Sequence, residues 1–230
     1  MKRDILLLAA CLCVLIGINW LGDQRAEPVS AAVGLDKKPT LILDAGHGGE
    51  DGGASTAAGE RESDINLAIV LKARALMVFL GEEPRLTRDK DVSLHNNGAE
   101  TIRQKKVSDL KNRVALVESI PNALLISVHQ NHFTDSRYSG SQIFYNRGDP
   151  NRLWGERAQE VFRQVLAPDN GRKAKRMPEG IYLFDHISCP AILIECGFLS
   201  NGEEAALLST AAYQKKVAVA LAGAYYAQFE

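Results

Sequence analysis

Three short apolar runs constrain this chain more than any other feature: Thr40–Asp44, Leu124–His129 and Pro190–Glu195. Each has strand length and is too short for a helix. Each stops at a chemically active group: the glycines around His47, then His129 itself, then Glu195. Helical patterns lie between and after them. One runs through Ile65, Ala68, Ile69, Leu76 and Leu80, with Ser63 or Asp64 as its cap and Gly81 as its end. Another runs through Val107, Leu110, Val114 and Val117 and is broken by Pro121-Asn122. Trp154, Ala158, Val161, Phe162 and Val165 line a third, and Tyr213, Val217, Ala220, Leu221 and Ala224 a C-terminal one. Shorter strands are expected at Arg85–Thr87, at Ser141–Tyr145 on an edge, and at Ile181–Phe184. Strands alternating with helices predict an α/β fold, a single layered domain with a twisted, mostly parallel sheet flanked by helices. Ligands of such sheets bind outside the carboxyl ends of the strands. The topology therefore delivers His47, His129 and Glu195 to one rim, and Glu62, opening a helix, can face the same rim.

The N-terminus is different in kind. Lys2 and Arg3 precede an unbroken apolar run from Ile5 to Ile18, followed by Trp20. Cations before an apolar run predict export of the downstream chain. The run is long for a signal-peptide core and short of a comfortable span of about 20 residues. Val29-Ser30-Ala31 fits a cleavage site but lies far beyond it, and Trp20 suits an interfacial anchor, so the balance favours an uncleaved hydrophobic helix. Residues 1–22 are expected to be that signal peptide or membrane anchor, 23–38 a polar linker and 39–230 the catalytic domain. The protein is then extracytoplasmic, membrane-anchored or secreted.

The formal charge is -1, so no basic excess points to nucleic acid. Cys189 and Cys196 flank a strand that would hold their Cα atoms roughly 20 Å apart, beyond disulfide reach. Neither has the paired spacing of a thiolate metal site.

Two histidines and a glutamate at one rim suit a catalytic zinc, which takes three protein ligands and leaves a position for water. A further carboxylate can serve as general base. His47 and His129 are the histidine ligands, and Glu195 the base. Glu60 and Glu62 compete for the third ligand position, which sequence chemistry alone does not decide. The stretch Asp44-Ala45-Gly46-His47-Gly48-Gly49 also resembles a phosphate loop. Asp51 occupies its third glycine position, however, and Asp44, Glu50 and Asp51 would repel phosphate. A lone His129 at a strand end is more often structural; it gains weight only because His47 and Glu195 should meet it. An acid closing the buried run Ala191–Ile194 needs a partner, and a salt bridge from Glu195 to Arg88 or Arg113 is the competing explanation.

With these residues in place, the chain resembles the zinc-dependent N-acetylmuramoyl-L-alanine amidases, bacterial cell-wall hydrolases, from about Thr40 to the C-terminus. The matching motifs are Asp-x-Gly-His-Gly-Gly at 44–49, Ser-x-His-x-Asn at 127–131 and Glu-x-Gly-Phe-x-Ser-Asn at 195–201. A glutamate four residues before Asn66-Leu67 selects Glu62 over Glu60. The resemblance implies Zn2+ on His47, Glu62 and His129, with Glu195 catalytic. Its substrate is peptidoglycan, and Asn131, Arg88, Arg113 and His186 are expected to contact it. Lys105–Arg113, Ser139–Tyr145 and Arg172–Lys175 are similar to the germination-specific amidases of spore formers, which strip stem peptides from spore cortex. The sequence specifies no accessory protein.

Two departures stand out. Ser63 replaces the base that usually comes after the ligand glutamate, and Gln130 and His132 replace small or apolar residues beside the second histidine. The stretch from Phe144 to Pro190 is too short for the helix that plugs the metal site in some members, so an accessible site is expected.

Overall fold

The computed structural model describes residues 38–230. The expected anchor and nearly all of the linker lie outside the described residues. Within them, no helix is long and apolar enough to cross a membrane.

The apolar runs form the centre of a six-stranded sheet. Its strands are β1 (Thr40–Ala45), β2 (Arg85–Leu86), β3 (Ala123–Asn131), β4 (Gln142–Tyr145), β5 (Lys175–Arg176) and β6 (Ala191–Phe198), in the order β2-β1-β3-β6-β4-β5. The four strands β2, β1, β3 and β6 are mutually parallel. Strand β4 runs antiparallel to β6, and β5 parallel to β4. The sheet is therefore mixed, though mostly parallel. The segment expected as an edge strand is β4, but β5 pairs outside it. The helices are α1 (Glu62–Phe79), α2 (Ile102–Glu118), α3 (Asp149–Leu166), α4 (Tyr182–Asp185), α5 (Gly202–Leu208) and α6 (Ala211–Tyr226).

Side chains alternate across a strand, and the two faces of this sheet have diverged. On one face Leu43, Ile126, Val128, Ile192 and Ile194 meet Ile69, Phe162 and Leu221 from α1, α3 and α6 in the larger core. Each such fully buried side chain contributes about 1.5–3 kcal/mol. Here α3 and α6 also join through Trp154 Nε1, which donates to Ala224 O at 2.7 Å. On the other face a smaller core of Ile42, Leu125, Ala191 and Leu193 packs on Val117 of α2 and on Leu183 and Phe184 of α4. That apolar layer ends part-way along the strands. Beyond it the same face carries Asp44 opposite Ser127, and then His129 opposite Glu195.

Three local expectations change. Ile181–Phe184 is not a strand: Tyr182–Asp185 forms one helical turn. Leu183, Phe184 and Ile187 reach the smaller core at helical spacing of three and four, which an extended chain would split between two faces. Helix α1 starts earlier than Ser63, at Glu62, and its N-cap Arg61 makes no side-chain cap. The loop backbone caps it instead: Glu62 N–H donates to Ala54 O and Ser63 N–H to Gly52 O. At its other end Gly81, φ 85°, closes a left-handed cap, with Gly81 N–H bonded to Val78 O and Glu82 N–H to Met77 O. Helix α2 buries Asp109, Arg113 and Val117, whereas Val107, expected on its apolar face, is exposed.

Candidate metal centre

The site is assembled from the loop after β1, the first turn of α1 and the ends of β3 and β6. His47 comes just after β1 and has φ 63°, a left-handed conformation that costs a non-glycine residue energy and is tolerated where neighbours enforce it. Those neighbours are the two arginines. Arg113 donates to Asp44, to Ala45 O at 3.0 Å and to His47 O at 2.7 Å. Arg88 donates to Ala45 O at 2.9 Å, to Gly46 O at 3.1 Å and to Ser63 O at 2.8 Å. The backbone around His47 and the start of α1 are thus tied together from below.

Close approach requires two glycines. A Cβ on Gly46 would lie 2.2 Å from the His129 ring. One on Gly53, φ 67°, would lie 2.5 Å from Glu62 Oε2 and 2.7 Å from His47 Cδ2.

Glu62 Oε1 lies 3.3 Å from His47 Nε2 and 3.0 Å from His129 Nδ1. One donor atom from each of these three residues falls within 4.8 Å of the others. The carboxylate is oriented by backbone: Ala54 N–H donates to Oε2 at 3.0 Å and Gln130 N–H to Oε1 at 3.1 Å. Burial pushes the Glu62 pKa up, but His129 and His47 outweigh it and hold the group well below the usual carboxylate range. Burial lowers His47, yet Asp51 and Glu62 dominate and raise it to about 9. Two imidazole nitrogens and an ionised carboxylate form a donor set for a divalent cation. The histidine side chains keep 19% and 21% exposure, which leaves the cluster open on one side.

Asp51 completes this part of the site. Its Oδ2 lies 3.0 Å from His47 Nδ1 and 3.4 Å from Lys106 Nζ. A carboxylate on the far nitrogen of a ligating histidine fixes the ring and its tautomer, here turning Nε2 towards Glu62. Sequence reasoning weighed Asp51 only against a phosphate loop, as the occupant of its third glycine position and as a repellent of phosphate. Its i,i+4 spacing from His47 was the available signal.

Glu195 is the direct register partner of His129. Its Oε2 is buried and has no hydrogen-bond partner. Burial raises its pKa first, Glu62 adds to that, and His129 and His47 oppose; the result is about 7. The salt bridge weighed for it is absent among the described residues, because Arg88 and Arg113 are engaged elsewhere. Both arginines were expected at the substrate, but they are 3% and 2% exposed and hold the His47 loop. Asn131 ends β3 near the rim; pairing slips by one residue there, His129 facing Glu195 but Asn131 facing Phe198, and such bulges re-aim side chains beside active sites. His186 is not brought to the cluster. It is exposed at the end of α4, stacked on Tyr182 with centroids 4.0 Å apart. Of the departures noted in the sequence, Gln130 is buried and donates to Asn66 Oδ1 at 3.0 Å, while His132 is exposed.

Comparison with known proteins is specific. A family model described as N-acetylmuramoyl-L-alanine amidase matches residues 41–225. A germination-specific N-acetylmuramoyl-L-alanine amidase of Bacillus subtilis is 37% identical over 179 residues, 77% of this chain and 74% of that one. The CwlD amidase from Clostridioides difficile, solved in complex with the GerS lipoprotein, superposes with a TM-score of 0.79 at 38% identity, covering 84% of this chain and 98% of that one. The catalytic domain of CwlV, an amidase from Bacillus (Paenibacillus) polymyxa var. colistinus, gives a TM-score of 0.65 at 27% identity, covering 82% and 96%.

Proposed function

The chain belongs to the N-acetylmuramoyl-L-alanine amidase family, and from that premise we propose that it is a zinc enzyme acting outside the cytoplasmic membrane on spore-cortex peptidoglycan. Its reaction is hydrolysis of the amide between the lactyl group of N-acetylmuramic acid and L-alanine. The observation that carries the mechanism is the pairing of the His47–Glu62–His129 cluster with an unpartnered Glu195 carboxylate one strand away.

His47, Glu62 and His129 would hold the zinc. When bound, the metal supplies Lewis acidity, which lowers the pKa of water and polarises the scissile carbonyl. Glu195 accepts the proton of the attacking water through its free oxygen and returns it to the departing alanine amine. A carboxyl near pH 7 in its proton affinity suits both transfers. Asp51 keeps the His47 ring in register.

The cortex assignment is supported by the likeness to the germination-specific relative of B. subtilis. The membrane assignment is supported by Lys2 and Arg3 before the apolar run Ile5–Ile18. Mass spectrometry of peptidoglycan digested with the zinc-supplemented protein tests the reaction. Free stem peptides with N-terminal alanine, beside peptide-free muramic acid, are expected. Cleavage at a glycosidic or peptide bond instead would refute it.

A further inference from the structure

One exposed aromatic surface at the catalytic rim has no role in the core or in the metal cluster. Beyond β3 the chain loops through Phe133 and Tyr138, which are 51% and 45% exposed. The loop is nevertheless firmly tied. Phe133 N–H donates to Ser200 Oγ at 3.1 Å, Asn201 Nδ2 to Ser136 O at 2.9 Å, and Gly140 N–H to Glu204 Oε1 at 2.8 Å. The Phe133 and Tyr138 rings meet edge to face at 5.1 Å, and Tyr138 stacks towards Phe198 at 6.3 Å.

Arg172 lies over this pair, its guanidinium carbon 4.7 Å from the Phe198 centroid and 5.8 Å from that of Tyr138. Its Nε donates to Ser139 O at 2.8 Å. Among the described residues its Nη1 and Nη2 make no hydrogen bond within the chain. The place is one strand from the general base. Phe198 is three residues beyond Glu195, and Gln142, the register partner of Glu195, donates to Lys173 O at 2.6 Å.

A guanidinium stacked on aromatic rings is poorly hydrated and pre-oriented, and its free edge matches a carboxylate. In the proposed reaction the leaving product is a stem peptide, and a γ-linked glutamyl residue after its alanine would leave an α-carboxylate free. We propose that Arg172, with Tyr138 and Phe133 as its wall, forms a subsite for that carboxylate. The inference deepens the amidase reading and rests on it. A purely structural Arg172 would pin Ser139 and offset the charge of half-buried Glu204, whose oxygens are taken by the Gly140 and Phe198 N–H groups. That role needs Nε and the charge but not a free fork. A sugar ring stacked on Tyr138 would not need the guanidinium.

The test is calorimetric binding of L-alanyl-γ-D-glutamyl-L-lysine, and of the same tripeptide amidated at the glutamyl α-carboxylate, to the zinc-loaded full-length chain. Kinetics on the two corresponding muramyl peptides run in parallel. Amidation is expected to weaken binding, and to raise KM, about ten-fold. Arg172→Gln should abolish that discrimination. Arg172→Lys, which keeps charge without the fork, should retain part of it. Equal affinity of the wild-type chain for both tripeptides overturns the subsite, as does an Arg172→Gln variant that still discriminates. A chain that discriminates the tripeptides but cleaves neither muramyl peptide would instead overturn the amidase reading and leave the subsite standing.

Discussion

The two faces of the central sheet solve different problems with the same strands. On the larger face the inward residues of β1, β3 and β6 are apolar up to Val128 and are covered by α1, α3 and α6, and Gln130 at the end of β3 bonds Asn66 of α1. On the other face the apolar layer is short, and it gives way along the strands to Asp44 and Ser127 and then to His129 and Glu195. One face maximises burial. The other carries a buried charge network whose visible product is the position of the His47 backbone. The larger apolar core and the chemistry are thus separated by side-chain parity, one residue apart in sequence.

Damage to the rim of the second face should therefore cost function, and damage to the charge network behind it should cost stability as well. The largest effect is expected for Glu195→Gln, with turnover reduced on the order of 1,000-fold and a full zinc equivalent retained, read by peptide-release kinetics and metal analysis. Zinc loss in that variant would make Glu195 part of the metal site. Arg113→Ala leaves Asp44 and Asp109 buried without their cation and should cost about 3–5 kcal/mol in denaturant unfolding. A loss matching a surface substitution would show that the network is dispensable. Asp51→Asn keeps the shape of the side chain but weakens the grip on His47. About a 10–100-fold drop in zinc affinity is expected, measured by competition with a chromophoric chelator. Unchanged affinity would remove Asp51 from the site.

Acid should also discriminate between the faces. Burial pushes the Asp44 pKa up, but Arg113, Ser127 and Thr87 outweigh it and bring it from 3.8 down to about 2. A folded-state pKa below the unfolded one stabilises the fold above the unfolded value. That contribution, about 2 kcal/mol, is lost as pH falls from about 4 towards about 2. Asp44→Asn should lack this phase in an acid titration of stability; a wild-type acid profile would count against the assignment. The smallest effect belongs to Val107→Ser on the exposed side of α2, expected within about 0.5 kcal/mol by thermal unfolding. A larger loss there would mean that this helix face is covered.

Strand positions and the rim they share were legible because short apolar runs ending in glycine, histidine or glutamate allow few other readings. The convergence of His47, His129 and Glu195 on one rim followed from the same logic, since parallel strands present their ends together. Glu62 was separable from Glu60 only by resemblance, because neighbouring surface carboxylates carry the same local signal. The arginines were misplaced for a related reason. A basic residue is read as solvent- or substrate-facing unless its partners are known, and Asp44 and Arg113 lie 69 residues apart. The segment Ile181–Phe184 went the wrong way because four apolar residues do not report their own periodicity.

The sequence by itself determined the layered α/β architecture, the three chemical strand ends and the family, since periodicity and motif spacing are local and survive without coordinates. Tertiary structure alone decided that Arg88 and Arg113 are buried and hold the His47 loop, that Asp51 pairs with His47, and that Glu195 keeps one oxygen unpartnered. Those properties depend on burial and on pairs far apart in the chain, and burial is what turns an ordinary charged residue into a structural or a reactive one.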